Sequence, residues 1–236
     1  MSRPEASAAL DHIVVLMFEN RSFDNLLGRL YEPGEVPVFE GVTGKALSNP
    51  IPSWADGGGQ SVVPYGVPAG MNTPNPDPGE EYQHVNTQLF GIIDPETNRG
   101  VLANKMTEPY NAPPDPLVPP PMTGFVADYI SSFQAEMGKA PSYHQFAQIM
   151  TGYSPAQMPV VSALARGFAT FDHWFCEVPS QTFANRSFLH AASSSGYVNN
   201  TSPIDSFPLH NTAETIFERL DRAGLSWKVY CDPPSH

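Results

Sequence analysis

Apolar positions follow two patterns along this chain. Residues 12–18, HIVVLMF, form an unbroken β-branched run, which predicts a strand covered on both faces, as in a parallel sheet. Residues 168–176 (FATFDHWFC) and 225–231 predict a second and a third strand. A period of 3.6 takes over elsewhere. Apolar groups at 125, 126, 129, 130 and 133 predict a helix over 124–137. Ser22 as N-cap and Gly28 as stop bound a short helix, and another is expected over 144–151. Ser154, Pro155 and Gln157 make a capping-box start for a helix over 157–166 that stops at Gly167. Helices are also expected over 183–192 and over 212–223, the latter with Gly224 just past its end. Strand, polar turn and helix in repetition predict a doubly wound α/β sheet, with sites at the carboxyl ends of its strands. Three strands are few for such a sheet, and the chain stops just past the third. The expectation is a single α/β domain over 1–236 that is the N-terminal part of a longer one, truncated at its C-terminus.

Residues 33–122 break this rhythm. Of 26 prolines, 17 fall between Pro33 and Pro121, and proline forbids helix interiors. Only short elements such as Tyr82–Phe90 fit here, so the stretch reads as an insertion or lid. Its aromatic residues Phe39, Trp54, Tyr65, Tyr82, Phe90 and Tyr110 predict that it packs rather than hangs free.

Charge narrows the function. Twelve Lys+Arg against 24 Asp+Glu give a net charge of −12, which disfavours non-specific nucleic-acid binding. An anionic ligand must therefore be held by local cations, helix N-termini or a metal. No apolar run is long enough for a transmembrane helix, and the opening MSRPEASAAL shows no secretory signal. A cytoplasmic location is the expectation over a secreted one. Cys176 and Cys231 are too few for a disulfide framework and are expected to be buried free thiols. Four N-x-S/T sequons, at Asn20, Asn185, Asn199 and Asn200, would matter only in a secreted eukaryotic chain.

Glu19 and Asn20 leave the first predicted strand together, as hard oxygen donors suited to a divalent cation. Locally they also fit an ordinary turn with an αL asparagine and a solvated glutamate. Thr182 opens a predicted helix beside free backbone N–H groups that favour an anion, and Asn185 lies one turn on. The same pattern is an ordinary threonine N-cap. Among the histidines, His84, near Asp77-Pro78-Gly79, reaches such a site if the Pro-rich stretch is a lid. His173, His190 and Asp232 are further candidates. No H-E-x-x-H, C-x₂-C or G-x-S-x-G motif occurs.

Residues 12–28, HIVVLMFENRSFDNLLG, resemble the opening signature of the bacterial-type phosphoesterase family, which includes non-specific phospholipases C and acid phosphatase A type enzymes. The stretch from Met158 to Ser195, with VPSQTFANR at its centre, is similar to a second block of that family. Met71–Gly91, with NPDPG and QLFG, and Ile216–Tyr230 resemble two more. The resemblance implies an alkaline-phosphatase-like three-layer α/β/α sandwich with a mainly parallel sheet. It also implies hydrolysis of a phosphate ester, from a small molecule or a phospholipid, with peripheral membrane contact in the lipid case. By it, Glu19, Asn20 and Thr182 match metal ligands for a divalent cation. Thr182 matches the nucleophile, and Asn185 and His84 are expected to contact the phosphate. The family commonly has His directly after PDPG, where this chain has Glu80, with His84 four residues on. Further acidic ligands are expected beyond residue 236, so the chain alone is expected to be metal-poor and weakly active. A sulfatase-like hydrolase would need a C/S-x-P-x-R motif, which is missing; a non-catalytic scaffold that binds an anion or partner is the other alternative.

Overall fold

A computed structural model describes residues 11–18, 20–59, 61–200 and 212–231. In chain order its elements are helix α1 (Phe23–Leu26), strands β1 (Ser48–Pro50) and β2 (Val62–Pro64), and helices α2 (Tyr82–Phe90) and α3 (Phe125–Met137). Then come α4 (Tyr143–Phe146), α5 (Pro159–Gly167), α6 (Thr182–Ala191) and α7 (Ile216–Arg222). The architecture is mixed α/β, helices around a small antiparallel hairpin.

Helix α3 is the hub. Every residue from Val126 to Phe133 is buried, so the helix is covered on all sides rather than along one stripe. Val126, Tyr129, Ile130 and Phe133 meet Ile51 and Val63 of the hairpin region and Phe146 and Met150 of the α4 region. Each such side chain contributes roughly 1.5–3 kcal/mol on burial. The hairpin is set in register by Asn49 opposite Val63. Asn49 also completes the start of α3. Its Oδ1 accepts from the Val126 N–H (3.3 Å) and its Nδ2 donates to the Met122 carbonyl (2.9 Å). Helix α2 runs so close to the start of α3 that a Cβ on Gly124 would overlap the Thr87 carbonyl oxygen. Only glycine fits at that crossing.

The Pro-rich stretch packs, as its aromatics predict; Trp54 and Tyr65 lie against the core. Its second half is organised by two buried asparagines. Asn98 donates to the carbonyls of Asp94 (3.1 Å) and Thr107 (2.9 Å), and accepts from the Thr107 N–H (2.8 Å). Asn111 accepts from the Asp94 N–H (3.0 Å) and donates to Thr87 Oγ1 on α2 (2.9 Å). Side-chain amides thus satisfy backbone groups that prolines prevent from pairing with each other.

The three predicted strands are not formed. Among the described residues, the only sheet is the β1–β2 pair, supplemented by an isolated parallel bridge between Gly66 and Thr151. Residues 12–18 are extended but uncovered, with Val14 88% exposed. Phe168, Phe171, Trp174 and Phe175 in the second run are 70–75% exposed, and Leu225, Val229 and Tyr230 in the third are exposed as well. A strand exists only through hydrogen bonds to a neighbour, and no described strand pairs with these runs. The parallel sheet of a three-layer sandwich is therefore not seen among the described residues. Cys176 and Cys231 share this fate: both are free, as expected, but exposed rather than buried, because the runs that carry them are uncovered. An apolar groove of about 490 Å³ opens between Phe23, Leu164, Phe171 and Trp174.

Several helix ends shift for local reasons. Ser22 caps α1 by accepting from the Asn25 N–H. Ser154 and Gln157 do engage each other, but only in a turn; α5 begins at Pro159, whose missing N–H suits a first helical position. Helix α7 starts four residues later than its pattern predicts, because Thr215 and Glu218 form the capping box.

Candidate functional site

The largest concentration of buried ionisable groups lies where α2 packs on α3. His84 on α2 and Asp128 on α3 are both buried, and His84 Nδ1 stands 2.7 Å from Asp128 Oδ1. Gln88, one turn along α2 from His84, donates through Nε2 to the other carboxylate oxygen of Asp128 (2.8 Å) and to the Gly79 carbonyl (2.8 Å). The His84 ring lies directly under Gly79, and a Cβ there would overlap it. The glycine of the PDPG sequence is thus a requirement of the histidine's position.

The far side of the His84 ring faces a cleft of about 170 Å³. Its walls include Pro78–Glu81, Ala103 and Ser132, with Glu136 and, from the turn before α6, Gln181. His84 Nε2 is 3.9 Å from Glu81 Oε2. Burial alone would lower the His84 pKa, but the carboxylates of Asp128, Glu81 and Glu136 outweigh it and the net shift is upward. Burial likewise pushes the Asp128 carboxyl up, against the pull of His84 and Gln88. Both shifts favour a proton held on the pair, across the 2.7 Å contact between His84 Nδ1 and Asp128 Oδ1.

The start of α6 is tied to this cleft by two consecutive asparagines. Asn199 Oδ1 accepts from the Tyr82 N–H at the start of α2 (3.0 Å) and from Ser180 Oγ (3.1 Å). Asn200 Oδ1 accepts from the Phe183 N–H in the first turn of α6 (2.8 Å), and the Asn200 N–H donates to Gln181 Oε1 (3.0 Å). Side chains from one segment therefore occupy helix N–H groups at two helix starts.

The sequence-predicted residues distribute unevenly around this frame. Thr182 is the first residue of α6, half-buried, one position from Gln181 in the cleft wall. Asn185 lies a turn inward, but its amide is committed to its own loop. It donates to the carbonyls of Val178, Ser180 and Gln181, each at 3.0 Å, and accepts from the Val178 N–H. Asn20 is exposed with a left-handed backbone (φ 76°), and among the described residues no hydrogen bond joins it to the cleft. Its neighbour Arg21 donates to the Thr73 carbonyl (2.5 Å). Glu19 and Asp232 lie outside the described residues. His173 is exposed beside Asp172, and His190 packs on Phe217. The structure thus brings His84 and the start of α6 to one cleft. Asp128, Gln88, Asn199 and Asn200 are additions that sequence reasoning missed. Asp128 carried one faint signal, a carboxylate inside a helix otherwise rich in apolar and small residues; Asn199 and Asn200 stood out only as sequons.

The model for the phosphoesterase family matches residues 10–234. The chain belongs to that family. Among curated relatives of this chain, non-specific phospholipase C4 of Arabidopsis thaliana is 34% identical over 228 residues, covering 94% of this chain and 36% of the relative. Non-specific phospholipase C1 of the same plant is 32% identical over 220 residues (92% and 34%), and non-specific phospholipase C3 is 31% identical over 232 residues (95% and 37%). The chain spans about a third of the length of the curated relatives it matches.

A divalent cation is implied for this family, and the described residues test only part of such a site. Asn20 and Thr182 offer hard but neutral oxygens. Among the described residues no group of three or more His, Cys, Asp or Glu side chains could hold a metal ion. A hard cation takes six or more oxygens, carboxylates prominent among them, so this donor set alone does not fit one. No helix among the described residues is long and apolar enough to cross a membrane.

Proposed function

We propose that this phosphoesterase chain carries the nucleophile half of a phosphate ester hydrolase, of phospholipase C-like phosphodiesterase or acid phosphatase type. The observation that carries the proposal is the family match together with the position of Thr182. The threonine opens α6 next to Gln181, which lines the cleft that also contains the buried His84. The relatives' names favour a phosphodiester in a phospholipid over a monoester.

Thr182 Oγ would attack phosphorus in line, its proton passing to solvent. The bond to the leaving alcohol breaks, and a phosphothreonine forms that water then hydrolyses. The backbone N–H groups at the start of α6 attract the transferred phosphoryl group. The Phe183 N–H is already occupied by Asn200, so a phosphate reaching it must displace that amide. Asn185 is proposed as a phosphate-side amide; to serve, it must release one of its three loop carbonyls. Glu80, Glu81 and Glu136 around the cleft repel a bare anion, which makes compensating positive charge at the site a physical requirement. His84 supplies part of it. A divalent cation is the proposed cofactor for the rest, with Glu19, Asn20 and Thr182 as three of its ligands and further carboxylates needed to complete the set.

The same reading assigns residues 12–18, 168–176 and 225–231 to strands of a parallel sheet in an α/β/α sandwich. Their apolar content and exposed flanks, and the β-branched residues of the first run, support it. The decisive experiment compares Thr182→Ala with the parent protein in hydrolysis of phosphodiesters and phosphomonoesters, with and without divalent ions. Loss of at least about a thousandfold is expected if Thr182 is the nucleophile. Unchanged turnover would refute the assignment, and binding without turnover in the parent would favour a non-catalytic anion-binding protein.

A further inference from the structure

We propose that Asp128 is a positioning residue for His84: its carboxylate holds the imidazole doubly protonated and turned so that Nε2–H faces the cleft beside α6, where it donates to the leaving oxygen of a phosphate ester. The inference rests on the assignment of this cleft to phosphate esters and adds to it the group that protonates the leaving alcohol and the residue that prepares it.

The geometry is specific. A carboxylate on one ring nitrogen leaves the other nitrogen to point away, and here Nε2 lies 3.9 Å from Glu81 Oε2, a carboxylate of the cleft lining. Asp128 is itself held at its second oxygen by Gln88, which is anchored to Gly79, and Gly79 in turn gives the ring its room. Three residues, on α2, α3 and the PDPG turn, thus fix one imidazole. All are buried or half-buried, so solvent does not compete for the ring at the Asp128 side. The charged groups facing His84 are Asp128 and Glu136 from α3 and Glu81 from the start of α2, with Glu80 on the cleft wall. All are acidic, and Asp128, Glu81 and Glu136 each favour the imidazolium.

The proton balance closes. As the bond between phosphorus and the leaving oxygen breaks, His84 Nε2–H passes to that oxygen and the ring becomes neutral. Water then attacks phosphorus, the bond to Thr182 Oγ breaks, one water proton passes to Nε2 and restores the imidazolium, and Thr182 Oγ takes back a proton from solvent. Asp128 keeps its charge and its Nδ1–H contact throughout.

The test has a part that needs no turnover. In the unmodified protein, ¹⁵N NMR of the histidine rings, with His84 assigned through His84→Gln, is expected to show both nitrogens of His84 protonated at neutral pH. A neutral His84 ring there would overturn the proposal whatever Asp128→Asn and Gly79→Ala do. In Asp128→Asn, which keeps the size and an acceptor oxygen, the His84 titration is expected to move to lower pH; an unmoved titration would also overturn it. In phosphodiester hydrolysis the same variant is expected to lower kcat by about 10²-fold with little change in KM, and to shift the high-pH limb of the rate profile downward. Gly79→Ala, which displaces the ring and leaves Asp128 intact, is expected to give a similar kcat loss. A fall in rate with an unchanged pH profile would assign Asp128 a purely structural role. If Thr182→Ala leaves hydrolysis intact, the phosphate-ester reading fails, while the ring titration still decides what Asp128 does to His84.

Discussion

The Pro-rich stretch over 33–122 and the three long apolar runs make an instructive pair. By pattern, the runs are the part expected to form regular structure and the proline stretch the part expected to be irregular. Burial reverses that order. The proline stretch contributes Ile51 and Val63 to the core, caps α3 through Asn49, and closes its loop on α2 through Asn98 and Asn111. The runs, far more hydrophobic, are exposed. Hydrophobicity marks what needs covering; it does not supply the cover. A loop whose backbone groups find side-chain partners can be solid without a sheet, whereas a strand without a neighbour has no hydrogen bonds to keep.

The comparison can be broken by substitution. Ile51→Ala, in the proline stretch, is expected to cost about 2–5 kcal/mol in urea denaturation, as for any buried aliphatic side chain. A loss near zero would mean that the stretch is not part of the core. Asn98→Ala should cost about 1–3 kcal/mol by orphaning the carbonyls and N–H that it serves. Stability should also depend on pH through His84. Its pKa is raised on folding, so the histidine's contribution is complete below its ordinary value of about 6.5 and fades as pH climbs through the higher folded value. Denaturation series across that range should show stability falling on the alkaline side in the parent and a flatter profile in Asp128→Asn. Trp174→Ser, in the second apolar run, should change stability by less than about 0.5 kcal/mol while reducing binding of a hydrophobic dye. A large loss there would show that the run is covered in solution.

The same contrast governs how much could be read in advance. Ser22 and its cap, Tyr82–Phe90 as a helix, and the extent of α3 were all legible, because each depends on residues a few positions apart. The family signature pointed to Thr182 and to the PDPG turn. The partner that makes His84 chemically distinctive was not legible: Asp128 lies 44 positions away and sits inside a helix whose pattern shows only its apolar side. The Asn199–Tyr82 contact spans 117 positions, and the asparagine carries no local sign of capping another helix. Asn185 shows the converse, a residue marked by its motif whose amide is spent on its own loop.

The sequence by itself determined the local matters: where helices begin and end, where proline forbids them, the net charge of −12, and which family the chain joins. Those features rest on contacts within a turn or two, which chain connectivity brings together at little entropic cost. Tertiary structure alone decided which apolar segments are covered, which asparagine caps which helix, and that one histidine faces a cleft with a carboxylate behind it. Such outcomes need distant segments to meet, and whether they do depends on the free energy of closing long loops around a shared core, which no short window of residues contains.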